Sequence, residues 1–190
     1  MENEKKLPSP LGEGQGVRLK TLFSTPWLEL KEASTENYKY VFSHEVRCKG
    51  TIIAILPFRE KEGKMEFLMR FENNPAWGTG ISLTCITGGM ENNDVVKTAI
   101  LEMKEEAGMD ISRSELMDLG ACRGTKSTDT VFQLYTVNLT GYDGVYFPKG
   151  DGSYLEKLAS TQWMPERKIL QADDPLVYVM FCRMRKLLRF

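Results

Sequence analysis

The sequence predicts an α/β fold in which a mixed β-sheet packs between α-helices. Runs of apolar and β-branched residues at Gly50–Phe58 and Thr130–Leu139 have the length and composition of β-strands. Between them lies an amphipathic helix that ends near Gly108, and a second helix, Leu176–Leu188, follows Asp174-Pro175. Strands before and after a central helix, with another helix closing the chain, predict an α/β/α sandwich.

The N-terminal part divides into a tail and a pair of strands. Residues 1–24 are expected to be a flexible tail, because the first 20 positions contain several prolines and glycines and few large apolar side chains. Alternating patterns around Trp27–Leu30 and Tyr38–Phe42 predict an antiparallel strand pair within residues 25–46. We expect residues 25–190 to form a single domain, since a chain of this length can bury one sizeable core.

Further strands surround the central helix. Met65–Phe71 is expected to return beside Gly50–Phe58 as a hairpin, and the apolar run Ile81–Ile86 precedes the helix. Shorter strands are predicted at Glu115–Cys122 and Thr161–Met164. Together with Thr130–Leu139, these segments supply enough strands for a mixed sheet.

The central helix carries three glutamates on one flank. Gly88-Gly89 breaks the preceding apolar run, and the polar residues 92–94 can accept the free N–H groups of a first helical turn. At about 100° per residue, Glu102, Glu105 and Glu106 fall beside the apolar stripe, so their carboxylates can converge on one point. Close carboxylates repel one another unless a cation neutralises them, and Mg²⁺ is the usual hard cation beside substrate phosphates. An isolated acidic run would instead be a solvated helix face.

Composition and charge argue against several classes of function. A formal net charge of −1 gives no reason to expect nucleic acid or an anionic membrane as a partner. No apolar run approaches the ~20 residues of a membrane span, and Lys5-Lys6 is not followed by the apolar core of a secretory signal. The cysteines form no C-x-x-C pair, so reduced thiols and a cytoplasmic location are expected. The single histidine, His44, has no cluster of metal-ligand residues beside it, and we expect no function for it.

The stretch from Gly89 to Met109 resembles the Nudix box. That pattern is a glycine, five residues, a glutamate, seven residues, Arg-Glu, an aliphatic residue, any residue, Glu-Glu, any residue, glycine and an aliphatic residue. The residues that match it in type and order are Gly89, Glu102, Met103, Glu105, Glu106, Gly108 and Met109. The order of elements over roughly residues 25–189 is also similar to Nudix proteins, and the N-terminal strands resemble an extra segment of ADP-ribose and nucleotide-sugar pyrophosphatases.

The box departs from the pattern in three places. The spacing between Gly89 and Glu102 is two residues shorter, the first glutamate falls near Asn93, and the arginine is Leu101. In the family, that glutamate and arginine associate and brace the loop against the helix. Because both are missing, no unpaired charge is left, and we expect the fold to be retained.

The resemblance implies a Nudix-like α/β/α sandwich and a metal-dependent hydrolase. Its substrate would be a nucleoside diphosphate linked to another group, ADP-ribose or a nucleotide sugar foremost, and the diphosphate linkage would be cleaved. Mg²⁺, or alternatively Mn²⁺, would be held by Glu102, Glu105, Glu106 and the carbonyl of Gly89, with the three glutamates as catalytic residues.

Residues outside the box are candidates for substrate binding. They are Arg70 at the exit of a strand, Trp77 in the loop after it, and Arg123, Lys126 and Asp129 in a polar loop. Arg70 could equally pair with Glu72. Asp129 and Glu156 are candidates for a general base, and the turn-rich stretch Gly141–Glu156 is a long loop of the kind that often carries function. The family's extra segment often dimerises, so a homodimer is expected.

Other functions stay open at this point. A Nudix fold without the box arginine and first glutamate could bind a nucleotide without cleaving it. A nucleoside triphosphate pyrophosphatase that removes altered nucleotides is a second alternative. A structural protein with an ordinary acidic helix is a third.

Overall fold

The structure, a computed structural model, describes residues 17–78, 80–90, 93–142 and 158–189. Its strands are β1 (Arg18–Ser24), β2 (Leu28–Ser34), β3 (Lys39–Glu45), β4 (Thr51–Ile55), β5 (Phe58–Lys61), β6 (Lys64–Asn73), β7 (Ile81–Thr84), β8 (Ile86–Gly89), β9 (Leu116–Arg123), β10 (Val131–Val137) and β11 (Ser160–Pro165). Its helices are α1 (Val95–Glu106), α2 (Glu166–Ile169) and α3 (Pro175–Leu188), with a 3₁₀ turn at Arg113–Glu115.

The strands form three sheets. β1, β2 and β3 make an antiparallel N-terminal meander. The central sheet has the order β8-β4-β10-β9, and it is mixed because β4 and β10 run parallel while the other neighbours are antiparallel. The third sheet has the order β11-β6-β5, with β7 also paired to β6. The predicted mixed sheet is therefore confirmed.

The central sheet is buried on both faces. Ile53 and Ile55 of β4 pack in one cluster with Ala99 and Met103 of α1. The intervening Ala54 belongs to a second cluster, which contains Val177, Phe181 and other α3 residues. Because successive side chains of a strand point to opposite faces, the two helices lie on opposite sides of the sheet, and the predicted α/β/α sandwich is confirmed.

The N-terminal region differs from the sequence-based prediction. A flexible tail over residues 1–24 and a strand pair over 25–46 were predicted, but residues 18–24 form β1, so the pair is a three-stranded meander. The prediction was wrong for β1 because its register with β2 supplies backbone hydrogen bonds that composition does not indicate. Residues 1–16 lie outside the described residues.

Two predicted strands are each divided between two sheets. The run Gly50–Phe58 was expected to be one strand, but Leu56-Pro57 separates β4 from β5. Proline lacks the N–H group that a strand ladder needs, so the ladder is interrupted at Pro57. The neighbouring backbone groups stay bonded: the Leu56 N–H donates to the Tyr135 carbonyl at 3.1 Å, and the Pro57 carbonyl accepts from the Leu68 N–H at 2.9 Å. The run Ile81–Ile86 divides likewise at the buried Cys85 into β7 and β8.

The two long helices begin and end as predicted. The Asp94 carboxylate accepts hydrogen bonds from the Val96 and Lys97 N–H groups at the start of α1, and Gly108 has a positive φ of 70° just after its end. Asp174 caps α3, and Pro175 occupies its first turn. No helix in the described ranges is long and apolar enough to cross a membrane. The four cysteines are free, as expected.

Candidate active site

A cleft opens where the end of β8 meets the start of β4 and the side of α1. The cavity has a volume of about 370 Å³. It brings together Gly89 and the three glutamates that the sequence predicted to share a site. The lining residues are Glu45, Arg47, Cys48, Ile52, Thr87, Gly88, Gly89, Met90, Glu102, Glu105 and Glu106.

The glycine turn at the end of β8 makes room for a carboxylate. A Cβ atom added to Gly88 would lie 1.7 Å from Oε1 of Glu102 and 2.0 Å from its Cδ, so any other residue would displace the carboxylate. At Gly89, an added Cβ would lie 3.0 Å from the Cβ of Cys48. The two glycines therefore let backbone atoms and the Glu102 carboxylate share one small space.

A lysine–asparagine contact lies at the entry to α1, where the Nudix pattern has a Glu–Arg pair. The Lys49 ammonium donates to the Asn93 side-chain oxygen at 3.0 Å. Asn93 stands near the position where the Nudix pattern has its first glutamate, and Leu101, at the arginine position, is 36% exposed. A contact from the β3–β4 connection thus supports Asn93 at the entry to α1.

A buried ion pair joins α1 to the third sheet. Arg70 of β6 contacts the Oε1 atom of Glu106 through Nη1, and its Nε donates to Glu72 at 3.0 Å. The second oxygen of Glu106 accepts from the Thr87 N–H at 3.3 Å. Arg70 is 6% exposed and Glu106 is 9% exposed. Both carboxylate oxygens of Glu106 therefore already have partners from the protein.

The environment of Glu106 alters its protonation. The pKa of Glu106 is raised to about 8, chiefly by burial and in smaller part by the neighbouring Glu102 charge, although the Arg70 charge acts to lower it. A perturbed carboxyl group in a cleft is a common feature of functional sites, although structural ion pairs produce it as well.

The oxygen atoms that line the cleft are of the kind that bind a hard divalent cation. Carboxylate oxygens and a backbone carbonyl are the ligands that Mg²⁺ accepts, and Glu102 and Glu105 line the cleft beside Gly89. The three carboxylates were expected to converge on one point, but in the structure Glu106 contacts Arg70 instead. Across the described ranges, no group of three or more His, Cys, Asp or Glu side chains is arranged to hold a metal. Metal binding stays a prediction.

The other predicted site residues lie in different places. Arg70 is beneath the cleft, in contact with Glu106 as well as Glu72. Trp77 is 50% exposed in the β6–β7 loop and is not among the residues that line the cleft. Glu156 and most of the loop Gly141–Glu156 lie outside the described residues.

Arg123, Lys126 and Asp129 are brought together around a second cavity. This cavity has a volume of about 590 Å³ and lies between the meander and the β9–β10 loop. Asp129 also pairs with His44, whose Nδ1 is 2.9 Å from its Oδ2. His44, for which no function was expected, therefore fixes one of the predicted substrate-binding residues.

Two charged residues of the cleft were missed from the sequence. Glu45 ends β3, and Arg47 follows it, with its guanidinium 4.8 Å from the ring centre of Trp27. Neither belongs to the box, and no spacing relates them to the glutamates of α1. The chain fold alone brings them to the cleft.

Comparison with solved structures places this architecture among known folds. An ADP compounds hydrolase aligns over 92% of this chain and 95% of its own, with 14% identity and a TM-score of 0.62. The NUDIX domain of Shewanella oneidensis NrtR, complexed with ADP ribose, aligns over 73% of this chain and 87% of its own, with 14% identity and a TM-score of 0.54. A C. elegans Ap4A hydrolase in a binary complex aligns over 73% of this chain and 97% of its own, with 19% identity and a TM-score of 0.53.

These similarities concern the fold. No protein-family model matches the chain, and no curated protein matches its sequence. The chain therefore has a Nudix-like fold, as the order of its elements predicted.

The raised pKa of Glu106 predicts a pH dependence of stability. Between about pH 4.5 and pH 8, folded Glu106 keeps a proton that the unfolded chain releases, so its contribution to the free energy of unfolding falls as pH rises. The slope approaches about 1.4 kcal/mol per pH unit in mid-interval. Urea unfolding in metal-free buffer, with parent and Glu106→Gln protein across this range, measures the difference. Glu105→Gln, which removes a half-buried neighbouring carboxylate, is the control. Equal slopes in parent and Glu106→Gln would contradict the prediction.

Proposed function

We propose that the protein is a metal-dependent hydrolase that cleaves the diphosphate linkage of a nucleoside diphosphate joined to another group, such as ADP-ribose or a nucleotide sugar. The observation that carries this proposal is the shared cleft of Gly88-Gly89 and the three α1 glutamates. The fold similarity to an ADP compounds hydrolase and to a NUDIX domain complexed with ADP ribose supports the substrate class.

The chemistry needs a screened diphosphate and a positioned water. Mg²⁺ or Mn²⁺, held by Glu102, Glu105 and the Gly89 carbonyl, with Glu106 as a further ligand once it turns away from Arg70, would screen the diphosphate charge and lower the pKa of a bound water. Because Gly88 has no side chain, the Glu102 carboxylate has room to lie against the β8 backbone. Glu45 and Glu105 are accessible carboxylates that could accept a proton from water. Arg47 supplies a positive charge at the cleft for a phosphate oxygen.

A second candidate function is favoured by one observation. Arg70 and the Thr87 N–H already contact both carboxyl oxygens of Glu106, so the cleft can keep this buried group without a metal ion. Together with the missing box arginine at Leu101, this supports a module that binds a nucleotide without cleaving it. The hydrolase remains our main proposal, because Glu102 and Glu105 still share the cleft with Glu106.

We further propose that the protein forms a homodimer through the outer face of the meander. The strand register places Phe23, Leu28, Leu30 and Val41 on that face, and they are 62%, 42%, 38% and 45% exposed. An exposed apolar patch of this kind is typical of an interaction surface.

We also propose that the protein is cytoplasmic, where its free thiols would stay reduced.

Hydrolysis of a substrate panel tests the main proposal. The panel contains ADP-ribose, nucleotide sugars, dinucleoside polyphosphates and nucleoside triphosphates, each with Mg²⁺ and then with Mn²⁺. We expect Glu102→Gln to lower kcat about 10²-fold or more, because it removes a carboxylate that would hold the metal at the diphosphate. Glu60→Gln, an exposed change on β5, is the matched control and should keep parental activity.

The outcomes of the panel separate the two candidates. Turnover that depends on metal and on Glu102 supports the hydrolase. Saturable nucleotide binding without turnover of any substrate would overturn it in favour of the binding module. Equal turnover by parent and Glu102→Gln protein would show that the chemistry lies elsewhere.

Sedimentation equilibrium tests the dimer. Leu30→Glu should raise the dimer dissociation constant at least about tenfold, because the interface would then bury an unpaired carboxylate. Ile81→Glu, at a side chain that is 73% exposed outside the meander, is the control. A monomeric parent at micromolar concentration would contradict the proposal.

A further inference from the structure

The cavity between the meander and the β9–β10 loop has one aromatic wall. Tyr38, Tyr40 and Phe42 line it. Tyr40 and Phe42 share one face of β3, as alternate strand residues do, and Tyr38 immediately precedes the strand. Phe42 is buried, whereas Tyr38 is 51% exposed and Tyr40 is 45% exposed. The Tyr40 hydroxyl donates to the Lys126 carbonyl, which fixes the orientation of its ring. The wall therefore presents aromatic faces that another flat ring can cover.

The opposite wall carries two cations. Arg123 uses one N–H donor, from Nη1, on the Asp129 carbonyl at 3.0 Å, and a guanidinium has five donors in all. The Lys126 ammonium is exposed and makes no hydrogen bond or ion pair within the part of the chain that the structure describes. The Asp129 carboxylate is occupied by His44. Positive charge is thus available beside the aromatic wall.

The two walls are held at a fixed separation. The Ser43 N–H donates to the Ser127 carbonyl at 2.9 Å, and the Asp129 N–H donates to the Ser43 carbonyl at 3.2 Å. With the His44–Asp129 contact, these bonds tie the loop to β3. A cavity of about 590 Å³ with such walls has the size and the mixture of apolar and polar groups typical of small-molecule sites. Because its walls are already in place, a ligand would lose little free energy in ordering them.

The cavity and the glutamate cleft lie along the same edge of the central sheet. The end of β8 at Gly89 pairs with the start of β4, which pairs with the start of β10 at Val131, which pairs with the end of β9 at Arg123. Three strand spacings of about 4.8 Å separate Gly89 from Arg123, or about 14 Å in all. An extended nucleoside diphosphate has a comparable length. Asp129, which lines the cavity, and its partner His44 lie beside Gly50, just before β4.

We infer that this cavity binds the nucleoside part of the substrate. The nucleobase stacks on Tyr38 and Tyr40, and Lys126 and Arg123 contact the phosphate that leads toward the glutamate cleft. The inference rests on the proposed function, since it assigns one half of the substrate to the cavity and leaves the diphosphate linkage at Glu102. It also gives the meander a role in substrate recognition.

Titration calorimetry with AMP, in metal-free buffer, tests the inference without any hydrolysis. Tyr38→Ala should weaken AMP binding about tenfold, because a stacking contact is lost, and Tyr38→Phe should restore parental binding. Lys126→Ala should also weaken it and reduce its dependence on salt. Ribose 5-phosphate, which lacks a base, should be insensitive to Tyr38→Ala. Leu170→Ala, at a side chain that is 66% exposed between α2 and α3, is the control.

Failure of the inference is distinct from failure of the proposed function. If the parent hydrolyses a substrate but AMP binding is absent or unchanged in Tyr38→Ala, the cavity assignment is wrong and the hydrolase stands. If AMP binds through Tyr38 and Lys126 but no substrate is cleaved, the cavity assignment stands and the hydrolase is wrong. In an active enzyme, Tyr38→Ala should raise KM about tenfold with little change in kcat, provided chemistry is slower than substrate release.

Discussion

The buried ion pair between Arg70 and Glu106 is the interaction on which the site depends. Arg70 belongs to β6 of the third sheet, and Glu106 ends the helix that packs on the central sheet, so the pair joins two layers of the sandwich. Arg70 is buried and charged, and removing the Glu106 carboxyl group would leave Glu72 as its remaining side-chain partner among these residues. Glu106 is also held by the backbone of β8 at Thr87. The last turn of α1 therefore has one position relative to both sheets.

The rest of the cleft follows from that position. With α1 fixed against β8, Glu102 falls where the absence of a side chain at Gly88 leaves space, and Glu105 lines the same cavity one turn later. The strand changes at Leu56-Pro57 and Cys85 let β4 and β8 belong to the central sheet while β5 and β7 pair with β6. β4 and β8 thus line the cleft, while β5 and β7 pair with β6, the strand that carries Arg70.

Local signals in the sequence predicted the helices and most strands, because caps, glycines and apolar periodicity act over a few residues. The grouping of Gly89 with the α1 glutamates was also predictable, since all of them lie in one box. Contacts between distant segments were not: Arg70 with Glu106, His44 with Asp129, and Glu45 at the cleft depend on how the sheets pack. The strand β1 was missed for a similar reason, as its hydrogen bonds come from its register with β2.

A direct measurement of metal binding tests whether the cleft at Gly88-Gly89 holds a divalent cation for hydrolysis. Titration of the protein with Mn²⁺, followed by electron paramagnetic resonance, counts bound ions without any substrate. We expect saturable Mn²⁺ binding that is lost in Glu102→Gln, is retained in Glu60→Gln and is displaced by excess Mg²⁺. Absence of saturable binding in the parent, or equal binding in Glu102→Gln, would rule out this metal site and favour a nucleotide-binding protein in which Arg70 and the β8 backbone hold Glu106.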